Sequence, residues 1–383
     1  ALPISRPNGA FNVGTHAWDH NRNVIYSQIP AAGDSSVLHI LDTDNLTVRQ
    51  RIRLREDLSG KSILSSDYSA MYSASPSGVT ILPVAQLPQA QQVGATQEDL
   101  LFSSDLCANL GVQQTLNITS LGTVRTDFKL SLPTGISGIT FSKTSGTTPA
   151  QVIVTIDPAA FHSANGTTTV PLTITSDGAV NLPPAVRLLI NTRDFNQRGQ
   201  IVNIPGKIVD MLADPIRNRL YLLRQDKNLV LVYETTSPPR LIGTMRTGNT
   251  PTGMAITTDN LYLIVGNDNS QIANVYDLEG LQQLDPIIVP GGHYPRTIGI
   301  VNGAIFALSR LATELPVCTP AISGAASLDR IDLGNRTADT PCTLSAGPER
   351  SIFQNGLPTS DGVFATAPGN GYMMLALSDG NVL

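Results

Sequence analysis

WDHNRNVIY (18–26) and ADPIRNRLY (213–221) share the skeleton D-x-x-R-N-x-x-Y, 195 positions apart. Asp19, Arg22, Asn23 and Tyr26 return as Asp214, Arg217, Asn218 and Tyr221 at identical spacing. In each copy an apolar stretch leads to the Asp, and a run of β-type residues follows the Tyr. Asp and Asn suit tight turns, where their short polar side chains satisfy nearby backbone groups. The skeleton therefore reads as a turn between two strands, with the aromatic packed in the second.

Lining the chain up on these aromatics yields further copies at Tyr72, Tyr262, Phe306 and Phe364. Around each the order is a short apolar strand, a D/N/G turn, the aromatic strand, a turn and a third strand. SVLHILD (36–42), NLVLVYE (228–234) and IANVYDLEG (272–280) supply the third strand; TVRQRIRL (47–54) and RLIGTMRTG (240–248) supply a fourth. Spacings of 46, 41 and 44 residues between Tyr26 and Tyr72, Tyr221 and Tyr262, and Tyr262 and Phe306 match a four-stranded propeller blade. Six aromatics predict a six-bladed β-propeller, with seven blades as the alternative. ALPISRPNG (1–9) reads as a fourth strand lacking its first three, and GYMMLALSDGNVL (371–383) as a third strand lacking its fourth. Pairing the two would close the ring and remove two free edges.

Between Tyr72 and Tyr221 the spacing rises to 149. Subtracting one blade leaves room for a β-sandwich. Residues 86–197 carry its pattern: QVIVTID (151–157), VPLTIT (170–175) and VRLLI (186–190) alternate apolar and polar positions. The flanks GVTILPVAQ (78–86) and QIVNIPGK (200–207) read as third and fourth strands of one blade. The predicted organisation is thus a discontinuous propeller, 1–85 with 198–383, and an insert at 86–197 in blade two.

Composition agrees with an all-β, turn-rich chain. Of 383 residues 41% are hydrophobic and only 14% charged, against roughly 25% charged in an average soluble protein. The net charge of -5 and the lack of a basic cluster argue against a nucleic-acid partner. The longest uncharged apolar stretch, TIGIVNGAIFAL (297–308), falls short of the ~20 residues of a membrane helix. The chain starts at Ala1, as a processed protein would, so the missing leader does not argue against secretion. Three cysteines form no CxxC pair or ligand cluster. Cys318 and Cys342 bracket a hairpin-like segment and are a disulfide candidate; the alternative is two buried thiols.

Strands such as NLYLIVGND (260–268) resemble the YVTN-repeat β-propellers over about 270 of the 383 residues. The tetrad appears in degenerate form, as Tyr262-Leu263-Ile264-Val265. GITFSKTSGTTPAQVIVTIDPAAF (138–161) followed by VPLTITSDGA (170–179) resembles inserted bacterial Ig-like domains of the BACON-like type. The resemblance implies a bacterial, extracytoplasmic protein.

Candidate site residues are polar groups at the inner strand of a blade or the loop entering it. His16, Lys61, Asp210, Thr252, His293 and Arg296 are placed near one mouth of the central channel; the alternative is ordinary solvated loop residues. Two cations beside a carboxylate would suit a small anionic or polyhydroxyl ligand. Enzymes on related folds fit less well. Quinoprotein dehydrogenases use recurring Trp motifs, and this chain has one Trp, Trp18. TSDGVF (359–364) is not a sialidase Asp-box. Asn12, Asp210 and Asn355 lie near inner strands, but no Glu clearly joins them in a lactonase-type metal set. No G-x-S-x-G or P-loop occurs.

The reading is a secreted or cell-surface binding or scaffolding protein. No catalytic residues, metal or cofactor are assigned, and it is expected to be monomeric with a protein, carbohydrate or small polar partner. The alternative is a metal-dependent lactonase-type hydrolase with its site in the channel.

Overall fold

The structure, a computed structural model, describes residues 15–28, 36–43, 46–58, 61–105, 111–161, 166–193, 202–301, 304–311, 326–339, 352–353, 364–367 and 374–376. Among the described residues, apart from short 3-10 turns, every regular element is a strand. The expected N-terminal closing strand, Cys318 and Cys342 lie outside the described residues. The chain divides into two compact units, one within Pro7–Thr43 and Val48–Pro205, the other within Gly206–Leu383.

In the first unit, β1 (His16–Asp19), β2 (Val24–Ser27), β3 (Val37–Asp42) and β4 (Val48–Arg53) form a four-stranded antiparallel meander. β5 (Ser62–Leu64), β6 (Met71–Ser75) and β7 (Gly78–Leu82) form a three-stranded one. Ala17, Tyr26, Leu38, Ile40, Leu58 and Met71 share a single apolar cluster. Alternation does this work: β3 reads half-buried, buried along VLHILD, so one face meets the core.

The same unit holds two further sheets. One has the order β12 (Ile139–Phe141), β14 (Ala150–Ile156), β10 (Val112–Ser120), β8 (Val93–Ala95). The other has the order β13 (Ser145–Thr147), β11 (Asp127–Ser131), β15 (Thr167–Thr175), β16 (Val186–Arg193), β9 (Asp99–Asp105). Both contribute to one core, in which Leu116, Val152, Val154, Leu172 and Leu188 are fully buried. The alternating triplets at 152–156, 170–174 and 186–190 supply its inward faces.

The second unit opens with β17 (Ile208–Asp214), β18 (Arg219–Arg224), β19 (Leu229–Glu234) and β20 (Arg240–Arg246), again a four-stranded meander. β21 (Pro251–Ile256), β22 (Tyr262–Asn267), β23 (Ile272–Asp277) and β24 (Gln283–Ile288) form the next. β25 (His293–Val301), β26 (Ala304–Leu311), β27 (Ala326–Asp332) and β28 (Thr337–Asp339) form a third, touching β24 through one parallel pair, Ile288 and Thr337. β29 (Ile352–Phe353), β30 (Phe364–Ala367) and β31 (Met374–Ala376) form a three-stranded sheet. One core, with Leu212, Tyr221 and Tyr276, draws on the first two meanders. Another, with Ile264, Val275, Ile298 and Ala307, draws on the second and third. The protein is all-β, and its repeating unit is an antiparallel meander.

Two expectations fail locally. Residues 202–207 form no strand, because Pro205 lacks an amide donor and the Lys207 amide goes to Asp226 Oδ1 at 2.7 Å. Aligning on Tyr72 also misplaces the core of its sheet by one residue. Met71 and Ser73 are buried whereas Tyr72 is 36% exposed, and a period of two sends neighbours to opposite faces.

Candidate functional site

The repeated turn that opens the sequence is built identically in both copies. Asp19 Oδ1 accepts the amides of Asn21 and Arg22, each at 3.0 Å. Its Oδ2 accepts Arg22 Nη1 at 2.5 Å and the Tyr26 hydroxyl at 3.4 Å. Asp214 does the same with Ile216 and Arg217 at 3.1 Å, Arg217 Nη1 at 3.1 Å and Tyr221 at 3.3 Å. Asn23 and Asn218 close the turns at φ 52 and 53, a region Asn tolerates better than most residues. The aspartate and tyrosine of the motif are engaged within the turn, and the arginines also reach outward, Arg22 to the Tyr68 carbonyl and Arg217 to Glu279.

Polar groups collect at the start of the first strands of the second unit. A bulge between Ile208 and Asp210 aims Asp210 across at β21, where Oδ2 accepts the Met254 amide at 2.9 Å. Burial raises the Asp210 pKa, against the two backbone donors Met254 and Met211 that lower it. Thr252 donates its hydroxyl to the Arg296 carbonyl. The close approach of β21 and β25 depends on Gly253, where an added Cβ would sit 3.1 Å from Arg296 O and Thr297 Cα.

Arg296 and Arg310 converge on one carboxylate. Arg310 Nε donates to Asp268 Oδ1 at 2.7 Å, and Arg296 Nε approaches the same oxygen at 3.5 Å. Arg310 also donates to the Asp268 carbonyl and to Asn269 Oδ1 at 3.2 Å, and lies 4.5 Å from the Tyr294 ring centroid. The Asp268 loop is fixed by its amide to Thr250 O at 2.8 Å and by Asn269 Nδ2 to Thr250 Oγ1 at 2.8 Å. Two guanidinium groups share one carboxylate, and the Arg side chains remain 40% and 36% exposed. Among the described residues Arg296 donates no hydrogen bond at the usual distance; its fork of N–H donors is largely unspent.

The six predicted residues fall in both units. His16 and Lys61 belong to the first unit; Asp210, Thr252, His293 and Arg296 belong to the second. His16 is exposed and shares a 2.9 Å hydrogen bond between Nδ1 and Ser27 Oγ; partial burial lowers its pKa. Lys61 is exposed. His293 is 5% exposed, its Nδ1 held by both Asp329 oxygens at 3.0 Å and by Ser327 Oγ at 2.9 Å. All these contacts fall on one ring nitrogen, which is not the relay of a nucleophilic triad, where base and nucleophile occupy opposite nitrogens. Arg310, Asp268 and Tyr294 were not singled out by sequence. Their one signal is the turn-rich GNDNS (266–270) joining two apolar strands. Among the described residues no three of His, Cys, Asp and Glu are grouped to hold a metal ion, and no helix is long and apolar enough to cross a membrane.

No protein-family model matches the chain, and no curated protein matches it. Among solved structures it is similar to Kuenenia stuttgartiensis hydrazine synthase, at 17% identity and a TM-score of 0.34, covering 49% of this chain and 51% of that one. The chain thus spans about half the length of that protein. It is also similar to a chain of a mitotic checkpoint complex (9% identity, 95% and 90% coverage, TM-score 0.33). A third is the periplasmic gluconolactonase of Pseudomonas aeruginosa (11% identity, 98% and 85% coverage, TM-score 0.33). At these scores the likenesses say nothing of activity.

Proposed function

We propose that the protein is a non-catalytic binding or scaffolding β-propeller that captures a small anionic ligand at the Arg296–Arg310 cluster. Its propeller would comprise 1–85 and 198–383 in six blades, with an Ig-like insert at 86–197 in blade two, in an extracytoplasmic compartment. The observation that carries the binding role is the charge balance of the cluster: two partly exposed guanidinium groups on one carboxylate, with the Arg296 donors largely unspent among the described residues. A carboxylate or phosphate group would complete the set through charge-assisted hydrogen bonds. Serial four-stranded meanders with cores drawn from successive sheets support the propeller.

Calorimetric titration with citrate tests the role. Saturable binding is expected, weakened about tenfold or more by Arg296→Ala and weakened further as salt rises. Equal affinity in wild type and Arg296→Ala would refute it. Lactone hydrolysis that requires an added divalent ion would decide for the hydrolase alternative.

A further inference from the structure

Asp19, Asp214, Asp277 and Asp332 each accept a turn amide through a carboxylate oxygen, the usual service of a turn aspartate. Asp268, in the turn joining β22 to β23, does not. Among the described residues its carboxylate accepts only from Arg310 Nε at 2.7 Å, with Arg296 Nε 3.5 Å from the same oxygen. The turn is held without it: the Asp268 amide donates to Thr250 O at 2.8 Å, the Asn269 amide to Asn249 O at 3.2 Å, and Asn269 Nδ2 to Thr250 Oγ1 at 2.8 Å. Nor does Arg310 need a charge there. It keeps the Asp268 carbonyl, Asn269 Oδ1 at 3.2 Å and the face of Tyr294 at 4.5 Å, and a neutral amide oxygen at 268 would accept its Nε in the same geometry.

What the carboxylate adds is negative charge beside Arg296. The Arg296 backbone is pinned. It lies at the bulge between Pro295 and Thr297, and its carbonyl accepts the Thr252 hydroxyl. Gly253 and Gly266 pack so close that an added Cβ on either would sit 3.1 Å from Arg296 O. The side chain, by contrast, meets no acceptor closer than the 3.5 Å to Asp268 among the described residues. A guanidinium on a fixed backbone, held by one distant carboxylate, can exchange it for a carboxylate from outside. We infer that Asp268 is a built-in counter-anion. It competes with the ligand for Arg296 and, as one carboxylate against two guanidinium groups, cuts the charge of the cluster from +2 to +1. Its negative charge opposes a bound anion in proportion to that anion's own charge, so multiply charged ligands are held back most. This rests on the anion site proposed above and names what sets its affinity and charge selectivity.

The test is calorimetric titration of the full chain with citrate in wild type, Asp268→Asn and Asn269→Asp. The isosteric Asp268→Asn should bind citrate about tenfold or more tightly. Asn269→Asp, which sets a second carboxylate on Arg310, should weaken binding by about the same factor. A merely structural role for this turn predicts weaker binding in both variants, and that result overturns the inference. Charge dependence is read by NMR titration of the Arg296 Nε–Hε signal with sulfate and with formate. The fold-gain in Asp268→Asn should be larger for sulfate, close to the square of that for formate; equal gains for the two anions overturn the inference. If wild type binds citrate through Arg296 and Asp268→Asn binds it no more tightly, the inference alone falls. If neither binds citrate, the site and the inference fall together. Should Asp268→Asn fail to fold, Asn269→Asp decides: citrate affinity at or above the wild-type value in that variant overturns the inference.

Discussion

The two copies of D-x-x-R-N-x-x-Y lie in different compact units and differ most at their arginines. The aspartate clamp, the left-handed Asn and the buried Tyr agree to within a few tenths of an ångström in their hydrogen bonds. The arginines diverge beyond the clamp. Arg22 is 36% exposed and donates to the Tyr68 carbonyl at 2.9 Å. Arg217 is 14% exposed and pairs with Glu279 at 3.1 Å. In both cases the arginine's second contact is on the next meander of its own unit. The repeat therefore encodes a turn plus a tether, and the surroundings set how strong the tether is.

That comparison can be broken most forcefully at the aromatics. Tyr26→Ala and Tyr221→Ala should each destabilise their unit by about 3–5 kcal/mol, as deleting a buried aromatic does. Native-state hydrogen exchange in β1–β2 and in β17–β18 reads the two units separately. Next in size, Asp19→Ala and Asp214→Ala should each cost about 2–3 kcal/mol, because turn amides, an arginine and a tyrosine lose their acceptor together. Near-equal losses would support a shared clamp; a loss in one copy alone would break it. The arginines should differ: about 1–2 kcal/mol for Arg217→Ala, and under ~1 kcal/mol for the more exposed Arg22→Ala.

The tyrosines also set an alkaline limit. Burial first, and then the neighbouring aspartate, push Tyr26 up to about 12; burial pushes Tyr221 up to about 12 as well, with Asp214 adding to it. A raised folded pKa means the neutral form is favoured in the native state. The associated stability is complete below the ordinary tyrosine value of ~10 and is lost as pH rises through about 12. Melting temperature should fall between pH 10 and 12, and less so in the Tyr26→Phe, Tyr221→Phe double variant.

Much of the architecture was legible because it is periodic. Two-residue alternation exposed the inward faces of β14, β15 and β16, and the recurring Asp-turn marked where meanders begin. Errors arose where one residue changes the phase. Tyr72 looked like Tyr26, yet its sheet buries Met71 and Ser73, so an aromatic alone does not fix register. Pro205 ended a stretch whose apolar pattern read as a strand. The candidate site was less legible still. Arg310 meets Asp268 across 42 positions, and that pairing depends on β21 and β25 approaching through Gly253, a tertiary fact with no local pattern. His293 was placed by its position at the head of a strand, but only the fold shows it enclosed by Asp329 and Ser327.

The central claim is that the Arg296–Arg310 pair is an anion site. Soaking crystals of the full chain in selenate and computing an anomalous difference map tests it most directly. A selenium peak is expected within hydrogen-bond reach of the Arg296 guanidinium on the side away from Asp268, lost in Arg296→Ala. Selenate bound elsewhere while Arg296 stays bare would contradict it.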